Sequence, residues 1–249
     1  MKPIAVIPAR FAATRFPGKP LALLLGKPMI QHVYQRCVES GAFGEVVVAT
    51  EDDRIAHAVA AFGGRCELTR PDCASGTDRV AEVALRHESP DDTVFVNVQG
   101  DEPAIHPQSL QALVRTFNEP SVQMATLVRP LEEEERENPN VVKVVLSQAQ
   151  RALYFSRADI PFQRDAGKRP PRYAHLGIYG YRKATLRRIS SLLPTPLEQA
   201  ESLEQLRALE NHIDIVCAHT PHKTCAVDRP EDVSLAERAL SSLLSPGAP

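Results

Sequence analysis

Three cations, Arg10, Arg15 and Lys19, follow the first apolar run of the sequence within ten residues. The surrounding segment, 2–38, contains six cations and no carboxylate. A basic loop at the end of a strand suits a polyphosphate, which needs several charge-assisted donors at once. The alternative interpretation is a solvated basic loop. The pattern favours an anion site near the start of the chain, with a triphosphate as the best fit.

Asp101 lies in the segment 99–103, directly after an apolar run at 93–98 that is typical of a buried strand. It is therefore expected at the carboxyl edge of a sheet, where open α/β proteins bind ligands. A hard cation such as Mg²⁺ takes one or two carboxylates together with phosphate oxygens. The alternative is a turn aspartate that binds its own backbone. Asp228, before the last predicted helix, is a candidate second carboxylate, although an acid there also suits helix capping.

His175, Tyr179 and Tyr181 lie on one face of a predicted strand, because strand side chains alternate, and Leu176 and Ile178 lie on the other. A face that is both polar and aromatic suits a sugar that bears hydroxyl groups and a carboxylate. A half-exposed strand with tyrosines at its edge would explain the same pattern.

Two arginines, Arg157 and Arg164, flank Pro161 and could clamp an acid group with paired N–H donors. Isolated arginines are also common on protein surfaces. The segment 195–198, Thr-Pro-Leu-Glu, has the form of a capping box and predicts a helix start. On this helix an i, i+3, i+4 spacing places three polar residues on one face, which is usually the solvated face: Glu201, Glu204 and Gln205.

Strand-like and helix-like segments alternate through the first half of the chain. Apolar runs predict four strands there, with amphipathic helices after them: 3–7, 46–49, 65–68 and 93–98. This alternation predicts a largely parallel sheet covered by helices on both faces. Three later apolar runs predict a mixed sheet: 124–128, 141–146 and 152–155. The proline-rich segment 167–172 predicts a loop. Because the sequence shows no repeat and no linker, we expect one continuous domain over 1–249.

The composition excludes several classes of protein. The 249 residues are 43% hydrophobic and carry a net charge of −2, which argues against a nucleic acid or a membrane surface as partner. Five cysteines without CxxC spacing and eight scattered histidines argue against a zinc site or a disulfide framework. The motifs of P-loop, dinucleotide-binding, zincin and serine-hydrolase proteins are absent. No apolar run is long enough for a membrane span or a signal peptide, so we expect a cytoplasmic protein.

Ten segments, in order across more than 200 residues, resemble the 3-deoxy-manno-octulosonate cytidylyltransferases, or CMP-Kdo synthetases, of the sugar nucleotidylyltransferase superfamily. They are IPARFAATRFPGKPL, GKPMIQHV, VVVATEDD, LTRPDCASGTDR, VNVQGDEP, NPNVVKVV, ALYFSRADIPFQRD, HLGIYGYR, LEQLRALE and AVDRPEDV. Each segment alone is modest evidence, but in this order they are highly specific.

The resemblance implies a Rossmann-like, three-layer α/β nucleotidyltransferase fold with a mixed, largely parallel central sheet and a smaller second-half lobe. It implies a CTP-binding half, about 1–120, and a half for sugar binding and dimerisation, about 121–249. Members of the family are usually homodimers that join CTP to Kdo, giving CMP-Kdo and pyrophosphate for lipopolysaccharide synthesis. They require Mg²⁺.

The resemblance also implies a role for each matching position. Asp101 and Asp228 would hold the metal and, with Lys19, carry catalysis. Cations of the basic loop would hold the triphosphate, and three further residues would surround the nucleotide: Arg10, Arg15 and Lys19, then Arg70, Ser75 and Gly76. Seven residues would surround the sugar acid: Gln99, Arg157, Arg164, His175, Tyr179, Glu204 and Gln205.

Two positions depart from the family pattern. Ala13 stands where serine is usual, which removes a hydroxyl contact to phosphate that Thr14 or backbone N–H groups would have to replace. Arg229 stands where threonine is usual, which removes a helix cap worth about 1 kcal/mol. Two alternatives stay open: the same chemistry on 8-amino-Kdo or a sialic acid, and a non-catalytic paralogue that only binds nucleotide.

Overall fold

The computed structural model describes residues 2–12, 15–73, 75–165, 167 and 170–244. In chain order its strands are β1 Ile4–Pro8, β2 Leu23–Leu24, β3 Lys27–Pro28, β4 Glu45–Thr50, β5 Arg65–Leu68, β6 Val94–Asn97, β7 Met124–Pro130, β8 Lys143–Leu146, β9 Ala152–Ser156, β10 Tyr173–Arg182 and β11 Ile215–His219. Its α-helices are α1 Met29–Glu39, α2 Asp53–Ala61, α3 Gly76–Arg86, α4 Pro107–Arg115, α5 Lys183–Ser190, α6 Pro196–Glu201, α7 Gln205–Glu210 and α8 Val233–Leu244.

Nine strands form one mixed sheet. The order β11-β7-β10-β6-β1-β4-β5 runs across it, β8 pairs with β10, and β9 pairs with β8. β10 runs antiparallel to both β6 and β7, whereas the pairs β1/β4, β1/β6, β4/β5 and β7/β11 are parallel. The predicted α/β class with a mixed, largely parallel sheet is confirmed. Strands β2 and β3 form a separate short hairpin.

Side chains alternate between the two faces of a strand, so strands that are apolar throughout present an apolar surface on each face of the sheet. Helices cover both of these faces. On β6, Phe95 packs in one core with Val80 of α3 and Leu186 of α5. The next residue, Val96, belongs to a second core that includes Ile30 of α1 and residues of α2 and α4. Each fully buried side chain of this size contributes roughly 1.5–3 kcal/mol relative to exposure. The predicted three-layer arrangement is therefore confirmed.

The prediction of one helix that carries Glu201, Glu204 and Gln205 on a single face is wrong. Helix α6 ends at Glu201, Ser202 adopts the left-handed conformation (φ 52°, ψ 50°), and α7 begins at Gln205. The break turns Leu203 into the core, where it is 6% exposed. The burial of Leu203 therefore outweighs the i, i+3, i+4 spacing that predicted one continuous helix. Of the predicted loop 167–172, the described residues 167 and 170–172 lie in neither helix nor strand.

A third, small core joins the last helix to the beginning of the chain. Ala236 and Leu240 of α8 pack with Leu24 and Met29, and Phe16 is partly buried against them. The backbone N–H of Leu25 also donates to Glu237 Oε1 of α8 at 2.9 Å. Phe16 of the basic loop and the hairpin of β2 and β3 therefore pack against the last helix.

Asp232 caps the turn that leads into α8. Its Oδ2 atom accepts the backbone N–H groups of Asp228 (2.9 Å) and Arg229 (2.8 Å). A carboxylate three residues downstream thus caps the turn at Arg229, where the family pattern has threonine. The other departure, Ala13, lies outside the described residues. Within the described ranges no helix is both long and apolar enough to cross a membrane.

Lys143, at the start of β8, is fully buried. Its ammonium group donates to three backbone carbonyls, those of Asn138 (2.9 Å), Val141 (2.7 Å) and Arg157 (2.7 Å). The residue therefore ties the turn before β8 to the segment that follows β9.

We expect Lys143→Met to lower the free energy of unfolding by about 3 kcal/mol, because three backbone carbonyls lose their charged donor. Urea denaturation followed by circular dichroism measures this change. Lys223→Met is the control, since the Lys223 side chain is 55% exposed in its pair with Glu132 and exposed pairs contribute about 0–1 kcal/mol. Equal stability of the two variants would contradict the prediction.

Candidate active site

A cavity of about 290 Å³ lies at the carboxyl ends of β1 and β6. The chain proceeds from β1 to β4 on one side, whereas β6 lies on the other side of β1. Open α/β sheets bind ligands at such a switch point. Eight of the predicted site residues line the cavity: Arg10, Arg15, Lys19, Ser75, Gly76, Gln99, Asp101 and Asp228.

Gly100 brings the end of β6 against the end of β1. A Cβ atom at this position would lie 2.7 Å from the carbonyl oxygen of Pro8, which is closer than a side chain tolerates. The absence of a side chain therefore lets Asp101 stand beside the basic loop.

Lys19 holds the two predicted metal carboxylates together. Its Nζ atom lies 2.7 Å from Asp101 Oδ2 and 3.6 Å from Asp228 Oδ1, and Arg15 lies 3.2 Å from the same Asp228 oxygen. The side chain of Lys19 is 15% exposed, whereas that of Arg15 is 62% exposed. Water screens the outer pair more strongly, so the contact between Lys19 and Asp101 is the stronger of the two.

The donor set around Lys19 suits a small, hard cation. The carboxylates of Asp101 and Asp228 both contact the ammonium group of Lys19. Among the described residues no cluster of three or more acidic, histidine or cysteine side chains could enclose a metal by itself. Mg²⁺ usually binds through one or two carboxylates and takes its other ligands from phosphates and water. Asp101 and Asp228 therefore fit Mg²⁺ delivered with a polyphosphate.

Glu102, next to Asp101, lies in surroundings that disfavour its charged form. Burial, reinforced by the charge of Asp101, raises the pKa of Glu102 to about 8. Its Oε2 atom is buried and has no hydrogen-bond partner within the described part of the chain. The carboxylates that contact Lys19 at this edge are those of Asp101 and Asp228.

Helix α3 directs its N-terminus into the cavity. Ser75 Oγ accepts the N–H of Asp78 at 3.1 Å, and Asp78 Oδ2 accepts the N–H of Ser75 at 3.0 Å. This capping box fixes the first turn at Gly76. The positive end of the helix dipole favours an anion at that point.

Arg70 does not line this cavity. Its backbone N–H donates to Glu82 at 3.0 Å, and its side chain is 68% exposed beside an adjoining cavity of about 520 Å³. Cys73 borders both cavities. The nucleotide role of Arg70 therefore stays a prediction.

Arg79 is a cavity residue that was not predicted from the sequence. It lines the cavity wall with its side chain only 5% exposed, paired with Glu51. Two features of the sequence could have indicated it. Arg79 is the last residue of the segment LTRPDCASGTDR, which resembles the family. It also lies three residues after Gly76, which is nearly one helical turn and therefore the same face of a helix. Phe16 and Cys73 also line the cavity without having been predicted.

His175, Tyr179 and Tyr181 share one face of β10, as predicted. The ring centroids of His175 and Tyr179 are 5.3 Å apart, and those of Tyr179 and Tyr181 are 6.0 Å apart. Burial lowers the pKa of His175 to about 3, so its ring is neutral. Thr126 contacts the ring nitrogen Nε2 of His175 at 3.0 Å.

Two buried polar atoms in this region have no hydrogen-bond partner among the described residues: the hydroxyl of Tyr179 and Nε2 of Gln205. Burial, followed by electrostatic interaction with Tyr181 and Glu204, raises the pKa of Tyr179. Buried polar groups are normally satisfied, so unpaired ones indicate a place for an additional partner. This polar face adjoins the cavity through Gln99, whose side-chain amide donates to Asn97 at 3.2 Å. Asn97 lies opposite Tyr179 in the sheet.

Arg157 and Arg164, the other two predicted sugar residues, differ from each other. The guanidinium of Arg157 donates to the backbone carbonyls of Glu201 (2.8 Å), Pro139 (2.8 Å) and Ser202 (3.3 Å). Arg164 is exposed. Neither lines the cavity at β1 and β6.

Comparison with known proteins identifies close relatives. The sequence profile of the cytidylyltransferase family matches residues 4–215. A 3-deoxy-manno-octulosonate cytidylyltransferase from Myxococcus xanthus is 56% identical over 234 residues, which cover 94% of each chain. One from Nitratidesulfovibrio vulgaris is 51% identical over 233 residues, which cover 92% of each chain.

Solved structures agree with this result. A CMP:2-keto-3-deoxy-manno-octonic acid synthetase in complex with CTP matches with a TM-score of 0.92 and 42% identity, over 98% of this chain and all of that one. A Bacillus anthracis protein described as a glucose-1-phosphate thymidylyltransferase matches with a TM-score of 0.66 at 16% identity, over 98% and 97% of the two chains. This second likeness shows the fold alone.

We expect Arg157→Ala to lower the free energy of unfolding by about 2 kcal/mol, because three backbone carbonyls lose a charged donor. Arg164→Ala should stay within about 0.5 kcal/mol of wild type, as is usual for exposed side chains. Thermal and urea denaturation of the two variants measure the difference. A stable Arg157→Ala protein would show that these hydrogen bonds contribute little.

Proposed function

Since the chain belongs to the 3-deoxy-manno-octulosonate cytidylyltransferases, we propose that it activates Kdo with CTP, giving CMP-Kdo and pyrophosphate for lipopolysaccharide synthesis. One observation carries the proposal: Asp101 and Asp228 converge on Lys19 inside a cavity lined by arginines and a helix N-terminus. This arrangement matches the needs of a nucleoside triphosphate and its metal ion.

The proposed reaction is an in-line displacement at phosphorus. The anomeric hydroxyl oxygen of Kdo attacks the α-phosphorus of CTP, the bond from that phosphorus to the bridging oxygen breaks, and pyrophosphate leaves. The hydroxyl proton is released to solvent. Enzymes accelerate such transfers mainly by positioning the reactants and by neutralising charge.

Each part of the cavity has a proposed task in this reaction. The cationic side chains of the basic loop bind the phosphates, and Lys19 also neutralises charge on the departing pyrophosphate. The first turn of α3, with Ser75 and Gly76, donates N–H groups to the nucleotide. Arg79, buried in the wall, adds a fixed positive charge that needs no reorganisation when the reaction proceeds.

Magnesium dependence is part of the proposal. Asp101 and Asp228 would hold Mg²⁺, which when bound supplies positive charge at the phosphates and lowers the pKa of the attacking hydroxyl. Lys19 must then share the two carboxylates with that ion, which leaves its ammonium group available to phosphate oxygens.

The polar face beside Gln99 is the proposed sugar subsite. Tyr179 and Gln205 each have a buried polar atom without a partner, and a sugar with several hydroxyls and a carboxylate would satisfy both. Neutral His175 contributes a hydrogen-bonding edge. Arg157 would act by holding the surrounding backbone, and exposed Arg164 is free to reach the carboxylate.

A cytoplasmic homodimer is also proposed. All five cysteines are free thiols, as is usual in a reducing compartment.

Three large apolar side chains of the second half are strongly exposed and would suit cover by a partner subunit: Leu153 (59%), Phe162 (88%) and Leu193 (83%). We expect sedimentation equilibrium at micromolar concentration to give twice the chain mass. A monomeric mass would refute the dimer but leave the activity untouched.

The activity is tested by pyrophosphate release from purified protein with CTP, Mg²⁺ and Kdo, run beside 8-amino-Kdo and N-acetylneuraminate. We expect metal-dependent release with Kdo and none in EDTA. Release only with another sugar acid would keep the chemistry and change the substrate. CTP binding without release from any sugar would favour the non-catalytic alternative.

Asp101→Ala tests the metal site within the same assay. We expect turnover to fall by at least about 1,000-fold, because losing one of two metal carboxylates removes several kcal/mol of charge stabilisation. Asp92→Ala, at an exposed aspartate outside the cavity, is the matched control and should retain full activity. More than a tenth of wild-type turnover in Asp101→Ala would end the proposed role.

A further inference from the structure

Glu51 connects two separate parts of the nucleotide cavity without lining it. It is the first residue after β4, and its Oε1 atom accepts the backbone N–H of Phe11 at 3.3 Å. Its Oε2 atom lies 2.6 Å from the guanidinium of Arg79. One carboxylate therefore contacts both the start of the basic loop and the buried cation of the cavity wall.

Arg79 depends on this carboxylate for its position. Its side chain is 5% exposed, and a second contact joins its guanidinium to the hydroxyl of Thr69. A buried cation that loses its partner is strongly destabilised or moves toward water. Movement of Arg79 would shift positive charge within the cavity wall.

Phe11 closes the base of the basic loop. Its carbonyl accepts the N–H of Gly18 at 2.9 Å, which joins the two ends of the segment 11–18. Its ring lies against Gly18, where a Cβ atom would be 3.2 Å from the ring carbons. The guanidinium of Arg54, from α2, lies 3.3 Å from the ring centroid.

This loop carries Arg15 and Phe16 into the cavity, and Lys19 follows directly. Phe11, at one end of this segment, is held by the turn between β4 and α2. Glu51 holds the amide of Phe11, and Arg54 holds its ring. Arg54 is itself held by two hydrogen bonds to Asp52, at 2.9 and 2.6 Å.

We propose that Glu51 is a positioning residue that holds the basic loop and Arg79 in one relative arrangement, and so sets the affinity of the cavity for the triphosphate of CTP. The inference rests on the proposed nucleotide site. Glu51 acts through its two partners, because it does not line the cavity itself. A misplacement of about 1 Å among the groups that hold a reactant is enough to cost up to about 100-fold in rate.

Two substitutions separate the two contacts. Glu51→Gln keeps an oxygen that accepts the Phe11 N–H but removes the charge that pairs with Arg79. Glu51→Ala removes both contacts. We expect the dissociation constant of CTP with Mg²⁺, measured by calorimetry, to rise about threefold in the first variant and at least about tenfold in the second.

The chain offers a closely matched control in Glu135. It pairs with Arg129, with side-chain exposures of 18% and 11%, compared with 18% and 5% for Glu51 and Arg79. Like Glu51 it also accepts a backbone N–H, that of Glu132 at 3.1 Å. Glu135→Ala should lower the melting temperature as much as Glu51→Ala does, with the affinity for CTP within twofold of wild type.

Pyrophosphate release supplies the second readout. In Glu51→Ala the KM for CTP should rise at least about tenfold while the KM for Kdo stays within twofold, because the loop and Arg79 face the nucleotide. A merely structural role would raise both KM values together or neither. Equal CTP affinities in Glu51→Ala and Glu135→Ala would overturn the inference.

Arg54→Ala keeps the inference testable if Glu51→Ala does not fold. The Arg54 side chain is 60% exposed and lies outside the cavity, and its loss releases the ring of Phe11. We expect about a threefold weaker affinity for CTP, and no change in Arg187→Ala, whose side chain is 49% exposed in a comparable pair with Asp91. An unchanged affinity in Arg54→Ala would count against the inference. Failure of the wild-type protein to bind CTP would overturn the proposed function as well.

Discussion

The ammonium group of Lys19 between Asp101 and Asp228 is the contact on which the rest of the site depends. It joins three distant parts of the chain: the basic loop, the segment after β6, and the turn before α8. Two carboxylates at such short range repel each other unless a cation lies between them. The small core of α8 and the cap at Asp232 support this contact, because they hold Asp228 within reach of Lys19.

Pairing also explains how a protein of net charge −2 can present a cationic cavity. The two least exposed cations of the cavity each have a carboxylate partner: Arg79 pairs with Glu51, and Lys19 pairs with Asp101. The site is thus stable before a ligand arrives. An incoming polyphosphate then competes with these carboxylates for the same cations. Its affinity therefore depends on where the ammonium and guanidinium groups are held. Net charge alone is therefore a poor guide to this cavity.

Much of the fold follows from local patterns, since β1, β4 and β6 are apolar runs and the strand–helix alternation leaves few arrangements open. The eight cavity residues were predictable because they fall in short segments that resemble one family. The break at Ser202 was not, because the helical spacing continues across one left-handed residue and only the burial of Leu203 explains it. The backbone bonds of Arg157 and the pairing of Arg79 with Glu51 depend on contacts between distant segments, which single-sequence patterns do not record. Strand β11 and helix α5 carried no distinctive motif and were not predicted.

The packing of α8 against the hairpin of β2 and β3 has a consequence for synthesis of the protein. Asp228 lies 213 residues after Arg15, its partner in the cavity. A nascent chain that has emerged only as far as β11 already holds the complete central sheet, yet the third core and the second carboxylate are still missing. A site that holds both carboxylates therefore exists only once the chain has been synthesised through Asp228 and α8.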